Sequence, residues 1–448
     1  MPGARAFENG STARTGEPPL SPFQRTAMHT TFTTHVRSHV RRYPCVSTSV
    51  YITRVFPWNP PAPPIMHAIL QVVPALESGG VERGTLEIAR AIHAAGHRSI
   101  VMSAGGGLVA PLESQGSEHI TWPVGRKSLR SLRLVRPLRD FIREQGIELI
   151  HARSRVPAWI VWRALQGMRT DERPAFVTTF HGFYSPGRYS SVMTRGDRVI
   201  AVSNSIAEYI QQHYPACPPE RIHIIHRGVD PAEFPHGYAP AEAWKETFLR
   251  SLPEHARGRA LLTLPGRITR WKGQLDFIEV IDALIREDHP VHGLLVGGTE
   301  RRRRRYELEI RKAISERGLD SHITWLGQRS DLREIMTVSF AVLSLSRDPE
   351  AFGRVSLEAL SLGRPVVAYA HGGVGEQMAA LFPQGGVPPR NPREATRILS
   401  DWLKHYSPPT PAPLTRFTLQ QMQRETLGVY DRLFQPESFM NSRDDRAG

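Results

Sequence analysis

Short, unbroken apolar runs alternate with stretches of helical periodicity from Met66 onward. Apolar runs without polar interruption mark strands buried on both faces, and their alternation with helices predicts a parallel sheet covered on both sides. Two series stand out. The first comprises residues 67–73, 98–103, 119–124, 147–151, 176–180, 199–203 and 222–225; the second comprises 260–264, 293–296, 323–326, 340–345 and 365–370. The segment between them, 230–259, is rich in Pro, Ala and charge, which places a hinge near 228–235. The expected organisation is a first α/β domain over 66–230, a second over 231–412, an amphipathic closing helix within 413–435, and tails at 1–65 and 436–448 that lack periodicity and read as disordered. No internal repeat is evident.

Chemistry collects where strands give way to loops. Between the run 340–346 and a helix expected over 355–362 lie Glu350 on the loop and Glu358 inside the helix. The free N–H groups expected at 352–355 point at an anion, and Gly353 lets a ligand approach the backbone beside Arg354 and Val355. A diphosphate fits there, with Glu358 accepting from a ribose and Glu350 from sugar hydroxyls; the alternative is an ordinary helix entrance with an acid favoured by the macrodipole. After the run 260–264, Arg267 and Lys272 occupy a loop ending at Gly273, at the carboxyl edge where open α/β sheets bind ligands. Two cations there can neutralise a departing diphosphate without a metal. Gly79 and Gly80 lie in a glycine-rich turn, 78–84, ahead of a helix over 86–95. That turn either offers backbone N–H groups to a phosphate or sugar oxygen or is a steric requirement. His181 closes the run 176–180 with Gly182 behind it, in a structural or a reaction-centre role.

Taken in this order, the four pieces resemble the retaining nucleotide-sugar glycosyltransferases of family 4, over about residues 66–435. The segments Glu82-Arg83-Gly84, His151-Ala152-Arg153-Ser154-Arg155, Phe180-His181-Gly182, Arg227-Gly228-Val229-Asp230 and Thr269-Arg270-Trp271-Lys272-Gly273 look most like bacterial enzymes that build the lipopolysaccharide core. The resemblance implies the GT-B architecture, two Rossmann-like parallel-sheet domains facing across a cleft. It also implies a hexosyl transfer with retention, and a closing helix that packs back on the first domain. By the same resemblance Glu350 binds donor-sugar hydroxyls and Glu358 the ribose, with Gly80, Gly353, Arg354 and Val355 at the donor. Arg267 and Lys272 lie on the diphosphate, and His181 lines the reaction centre from the opposing domain. Many relatives have Asn where this chain has Arg227, a change expected to affect the interdomain region. No Asp-x-Asp occurs, which fits leaving-group stabilisation without a metal, and no cofactor is expected; the nucleotide sugar is a substrate.

With 448 residues, 40% of them apolar, the chain can bury two cores. Its formal charge of +14 calls for an anionic partner or a solvated basic face, and residues 126–143 hold seven basic residues against one Asp. At helical spacing Arg133, Arg136, Arg139 and Arg143 fall opposite Val135, Leu138, Phe141 and Ile142, with Pro137 as a start or a kink. That face is either solvated or meets an anionic membrane or a lipid-linked acceptor. Residues 301–305 form a second, solvated cluster. Recognition modules for nucleic acid are absent from the sequence. No apolar run reaches membrane-spanning length, and residues 1–65 lack a secretory core; they read as a transit-like leader or as sequence preceding a true start at Met66. Two cysteines, Cys45 and Cys217, give no disulfide framework, so a cytoplasmic protein is expected, at most peripheral at the inner membrane. The expected partners are a nucleotide-sugar donor and a glycolipid or saccharide acceptor. Two other classes compete. One is an oxidoreductase, disfavoured because no Gly-x-Gly-x-x-Gly follows the first run; the other is a silent module of the same architecture that binds a membrane or partner.

Overall fold

The apolar runs become two parallel sheets in the computed structural model, which describes residues 66–435 apart from Ser78 and 300–303. The expectations for residues 1–65 and 436–448, and for 301–303, lie outside the described residues. The first sheet contains β1 (Ala68–Val72), β2 (Arg98–Ser103), β3 (Glu118–Thr121), β4 (Leu149–Ala152), β5 (Ala175–Phe180), β6 (Arg198–Ala201) and β7 (Ile222–Ile224). Their order is β3-β2-β1-β4-β5-β6-β7, and every pair is parallel. β1, β4 and β5 are buried at every position, which is why they read as unbroken apolar runs. The strand order reverses between β1 and β4, opening a crevice at their carboxyl ends.

The second sheet contains β8 (Ala260–Pro265), β9 (Val291–Val296), β10 (Ile323–Gly327), β11 (Ala341–Ser344), β12 (Val366–Tyr369) and β13 (Gly386–Val387). They run in the order β10-β9-β8-β11-β12-β13, again all parallel, and reverse between β8 and β11. The two-residue β13 had no expectation, because so short a strand carries no periodicity.

The chain passes between the two sheets twice, at one place. Val229 and Thr418 form a parallel bridge, in which Val229 N donates to Phe417 O at 3.0 Å and Leu419 N to Val229 O at 2.8 Å. Beyond it helix Leu419–Phe434, capped by the Thr418 hydroxyl, lays Leu419, Met422, Val429, Tyr430 and Leu433 against Ile88 and Ile92 and the first sheet. Each such side chain contributes about 1.5–3 kcal/mol on burial, enough to hold the helix on the first half.

Three local expectations are corrected. Of the turn expected over 78–84, Gly79 is an N-cap and residues 80–84 are helical, because helix Gly80–Ala94 begins ahead of the start expected at Leu86. Within the span 413–435 expected for the closing helix, the helix starts only at Leu419. Finally, the basic stretch is not one helix with one basic arc. A 3-10 segment, Leu129–Leu134, leads into helix Val135–Glu144, with Pro137 in the first turn where its missing N–H costs nothing. Leu138 and Ile142 are buried, as the apolar arc requires. Arg139 turns inward instead, donating to Ala164 O at 2.9 Å, and Arg143 pairs with Glu172 at 3.0 Å. Arg133 and Arg136 remain exposed.

Candidate functional site

The reversal point of the second sheet brings Lys272 and Glu350 together. Lys272 closes a 3-10 turn after β8, and Glu350 lies on the loop after β11, so the two loops flank one crevice. Lys272 Nζ donates to Glu350 Oε1 at 2.7 Å, and both side chains are largely buried. The Ser346 hydroxyl donates to the same oxygen, and the ammonium lies 4.6 Å from the centre of the Trp271 ring. A small cavity there is lined by Lys272, Ser346, Glu350, Gly353 and Val355. Arg267 is exposed on the Lys272 loop, and its carbonyl accepts from Gln274 Nε2 at 3.1 Å. A wider concavity of about 420 Å³, between helices Gln274–Arg286 and Arg304–Glu316, shares no lining residue with this cavity.

Gly353 is the N-cap of helix Arg354–Ser361, one residue earlier in the chain than the start expected at Val355. Its φ of 85° is left-handed, and a Cβ there would stand 2.3 Å from Val374 Cγ2, so only glycine allows the loop to enter the helix this way. The unpaired N–H groups at the helix start belong to Arg354, Val355 and Ser356. The loop is pinned behind, where Gly373 N donates to Glu350 O at 2.8 Å and His371 Nε2 meets Ser346 O at 2.7 Å.

Glu358 lies one turn into that helix, 6% exposed, and faces the first half of the molecule. Burial raises its carboxyl pKa, against the pull of Arg354 and Arg83. Arg354 approaches it at 3.6 Å and donates to Glu87 Oε1 of helix Gly80–Ala94 at 2.7 Å, a contact between the halves. Arg227, after β7, donates to Gly80 O at 2.8 Å and lies 3.6 Å from Glu87 Oε2. Burial lowers the Arg227 pKa to about 9, with Glu87 opposing the fall. Gly84 makes room for this guanidinium: a Cβ there would stand 1.8 Å from Arg227 Nη2. Gly80 therefore serves this contact through its carbonyl.

His181 sits at the end of β5, and its Nε2 is buried without a hydrogen-bond partner. Burial, then Arg153, Arg227 and His151, lower its pKa well below the usual imidazole range, so the ring is neutral. Arg153, directly after β4, is 2% exposed. Beside it His151 is held between Tyr430 OH and Thr179 Oγ1, each at 2.6 Å.

A second contact joins the halves. Glu376, in helix Gly372–Leu381, accepts from Ser205 N and Oγ at 2.8 Å, from Asn204 N at 3.0 Å and Nδ2 at 2.8 Å, and meets His226 Nε2 at 2.8 Å. The donors from Asn204 and Ser205 open helix Asn204–His213, so the carboxylate caps a helix of the other half. Burial alone would raise its pKa, but these bonds lower it to about 2. Sequence reasoning assigned no role to Arg153, Glu87 or Glu376; a charged residue directly after the apolar end of β4 was the available sign for Arg153.

The chain matches the Glycosyltransferase Family 4 model over residues 78–233 and the Glycosyl transferases group 1 model over residues 247–413. It is 28% identical over 188 residues to a D-inositol 3-phosphate glycosyltransferase of Jonesia denitrificans, covering 41% of this chain and 43% of that protein. It is 27% identical over 187 residues to an alpha-maltose-1-phosphate synthase of Mycolicibacterium smegmatis, covering 41% and 46%. The chain thus spans less than half the length of these two relatives. Among solved structures, a glycosyltransferase from Rickettsia africae superposes with a TM-score of 0.70 at 27% identity, over 83% of this chain and all of that one. Anabaena Alr3699/HepE in complex with UDP gives 0.63 at 21%, over 85% and 98%. WaaG, a glycosyltransferase involved in lipopolysaccharide biosynthesis, gives 0.57 at 16%, over 85% of this chain and all of that one.

Proposed function

From a GT-B chain whose halves match, in turn, a Glycosyltransferase Family 4 and a Glycosyl transferases group 1 model, we infer a glycosyltransferase that moves a sugar from a nucleotide diphosphate to an acceptor hydroxyl with retention of configuration. The observation that carries this reading is the Lys272–Glu350 pair at the reversal point of the second sheet. Among the donors, UDP-glucose has first claim, because HepE structures hold UDP and UDP-glucose.

The donor lies against the second half. Its diphosphate separates Lys272 from Glu350, taking the ammonium and the N–H groups that open helix Arg354–Ser361. The freed Glu350 carboxylate accepts from sugar hydroxyls, and Glu358 from the ribose. As the bond to the anomeric carbon breaks, negative charge grows on the β-phosphate, where Lys272 and Arg267 stabilise it without a metal. His181, neutral and with an open Nε2, faces the reaction from the first half and suits a hydroxyl better than a phosphate dianion. Closure of the halves excludes the water that would hydrolyse the donor.

The acceptor is a glycolipid or saccharide of the cell envelope. A lipopolysaccharide-core acceptor draws support from the WaaG likeness in fold. A peripheral contact with an anionic membrane rests on exposed Arg133 and Arg136 beside Leu132, which is 53% exposed.

Thermal unfolding with UDP-, GDP- and ADP-sugars, followed by a donor-hydrolysis assay, tests the reading. One donor is expected to raise the melting temperature and to be hydrolysed slowly. Lys272→Ala is expected to cut turnover by about 10²–10³ with little loss of stability. A folded, fully active Lys272→Ala protein would remove the assignment.

A further inference from the structure

The reversal points of the two sheets are filled differently. In the second sheet the cation has its acid, Lys272 with Glu350. In the first sheet, Arg153 directly follows β4 beside β1, and no acid reaches it with a hydrogen bond. Its Nη1 donates to Gln71 Oε1 at 3.1 Å, its Nε has no hydrogen-bond partner, and the acids that act on it, Glu87 and Glu82, do so through space without a hydrogen bond. Glu87 gives its Oε1 to Arg354, while its Oε2 stands 3.6 Å from Arg227 and accepts no hydrogen bond. Arg153 and Arg227 line one small cavity with His151 and Thr179, and His181, whose Nε2 is equally without a partner, lies within the field of both guanidiniums. A buried guanidinium cannot shed its proton, and leaving one unpaired is among the costlier arrangements a fold can hold. Open α/β sheets take ligands at this edge, and the guanidinium fork matches a planar or tetrahedral oxyanion.

We propose that the crevice at the carboxyl ends of β1 and β4 is an anion subsite, in which Arg153, with His181 and Arg227 beside it, takes a phosphate or carboxylate group borne by the acceptor. This rests on the glycosyltransferase reading for the word acceptor, and on the first half alone for the anion. The acceptor's reacting hydroxyl then lies near His181, at the end of the neighbouring strand β5. Arg153 binds substrate, while Gln71 orients Arg153.

The full chain and its Arg153→Gln variant are compared by thermal unfolding in inorganic phosphate and in acetate, against sodium chloride at matched ionic strength, with and without saturating UDP. Phosphate or acetate is expected to stabilise the wild type, and the apparent affinity to fall by about tenfold or more in Arg153→Gln, with the UDP response intact. Whichever anion acts identifies the group. An anion response equal in both proteins, or absent from the wild type, overturns the proposal. In anion-free buffer Arg153→Gln is expected to be at least as stable as the wild type, since it removes an unpaired buried charge. Should that variant not fold, the ring nitrogen resonances of His181 in UDP-saturated wild type decide: movement with phosphate or acetate supports the subsite, and stillness with both overturns it. Absence of any nucleotide response, with the anion response present, would instead sink the donor reading.

Discussion

Glu358 is an acid kept in a place that disfavours its charge, with Arg354 as its compensation. Removing the charge leaves Arg354 to Glu87 and, on the proposed function, deprives a ribose of its acceptor. Glu358→Gln is therefore expected to weaken nucleotide binding by about tenfold in calorimetry while leaving folding stability unchanged or slightly higher. The sign follows from the pKa. A carboxyl whose folded pKa is raised costs stability above that pKa, so any gain in the Gln variant should be present at neutral pH and fade as acidification protonates the wild-type group. The places of Lys272, Glu350 and Gly353, and of Glu358 one turn into the helix, were legible in the sequence because local pattern locates strand ends and helix starts. Glu87 and Glu376 were not. Their partners lie 267 and 172 positions away, and no local signal reports such a meeting.

At the scale of elements, every strand but β13 was legible to within about three residues at its ends, most plainly β1, β4 and β5, where burial at every position leaves an unbroken apolar signature. Helix starts were less so. Gly79 and Gly80 suggested a turn, yet Gly80 opens the helix and its carbonyl holds Arg227. The capping of helix Asn204–His213 by Glu376 is likewise tertiary, and it has a testable pH dependence. Its depressed pKa means that the stability it confers is complete above the unfolded value of 4.5 and is lost as pH falls through about 2. Glu376→Gln should cost about 1–3 kcal/mol at neutral pH in denaturant unfolding, with the difference from wild type shrinking over that acid window. A difference independent of pH would detach the effect from the charge.

For the whole molecule, the positive charge is unevenly employed. Arg139, Arg143, Arg227 and Arg354 are committed to internal contacts, whereas Arg133 and Arg136 are exposed on the first half. A contact with an anionic bilayer worth about 1 kcal/mol per basic residue predicts that joint replacement of Arg133 and Arg136 by Glu weakens co-sedimentation with phosphatidylserine vesicles by about thirtyfold or more. Binding to neutral vesicles should not change. Equal sedimentation of the variant and wild type would assign that face to solvent. No helix of the described residues is long and apolar enough to cross a membrane. The Val229–Thr418 bridge bears on a different question, the construction of hybrids with altered donor choice. A graft of the second half from a relative must be sewn in at both sides of that bridge; one seam near residue 230 would import a foreign closing helix onto a groove shaped for Tyr430 and Leu433, and the recombinant would fail at the hinge before its specificity could be read.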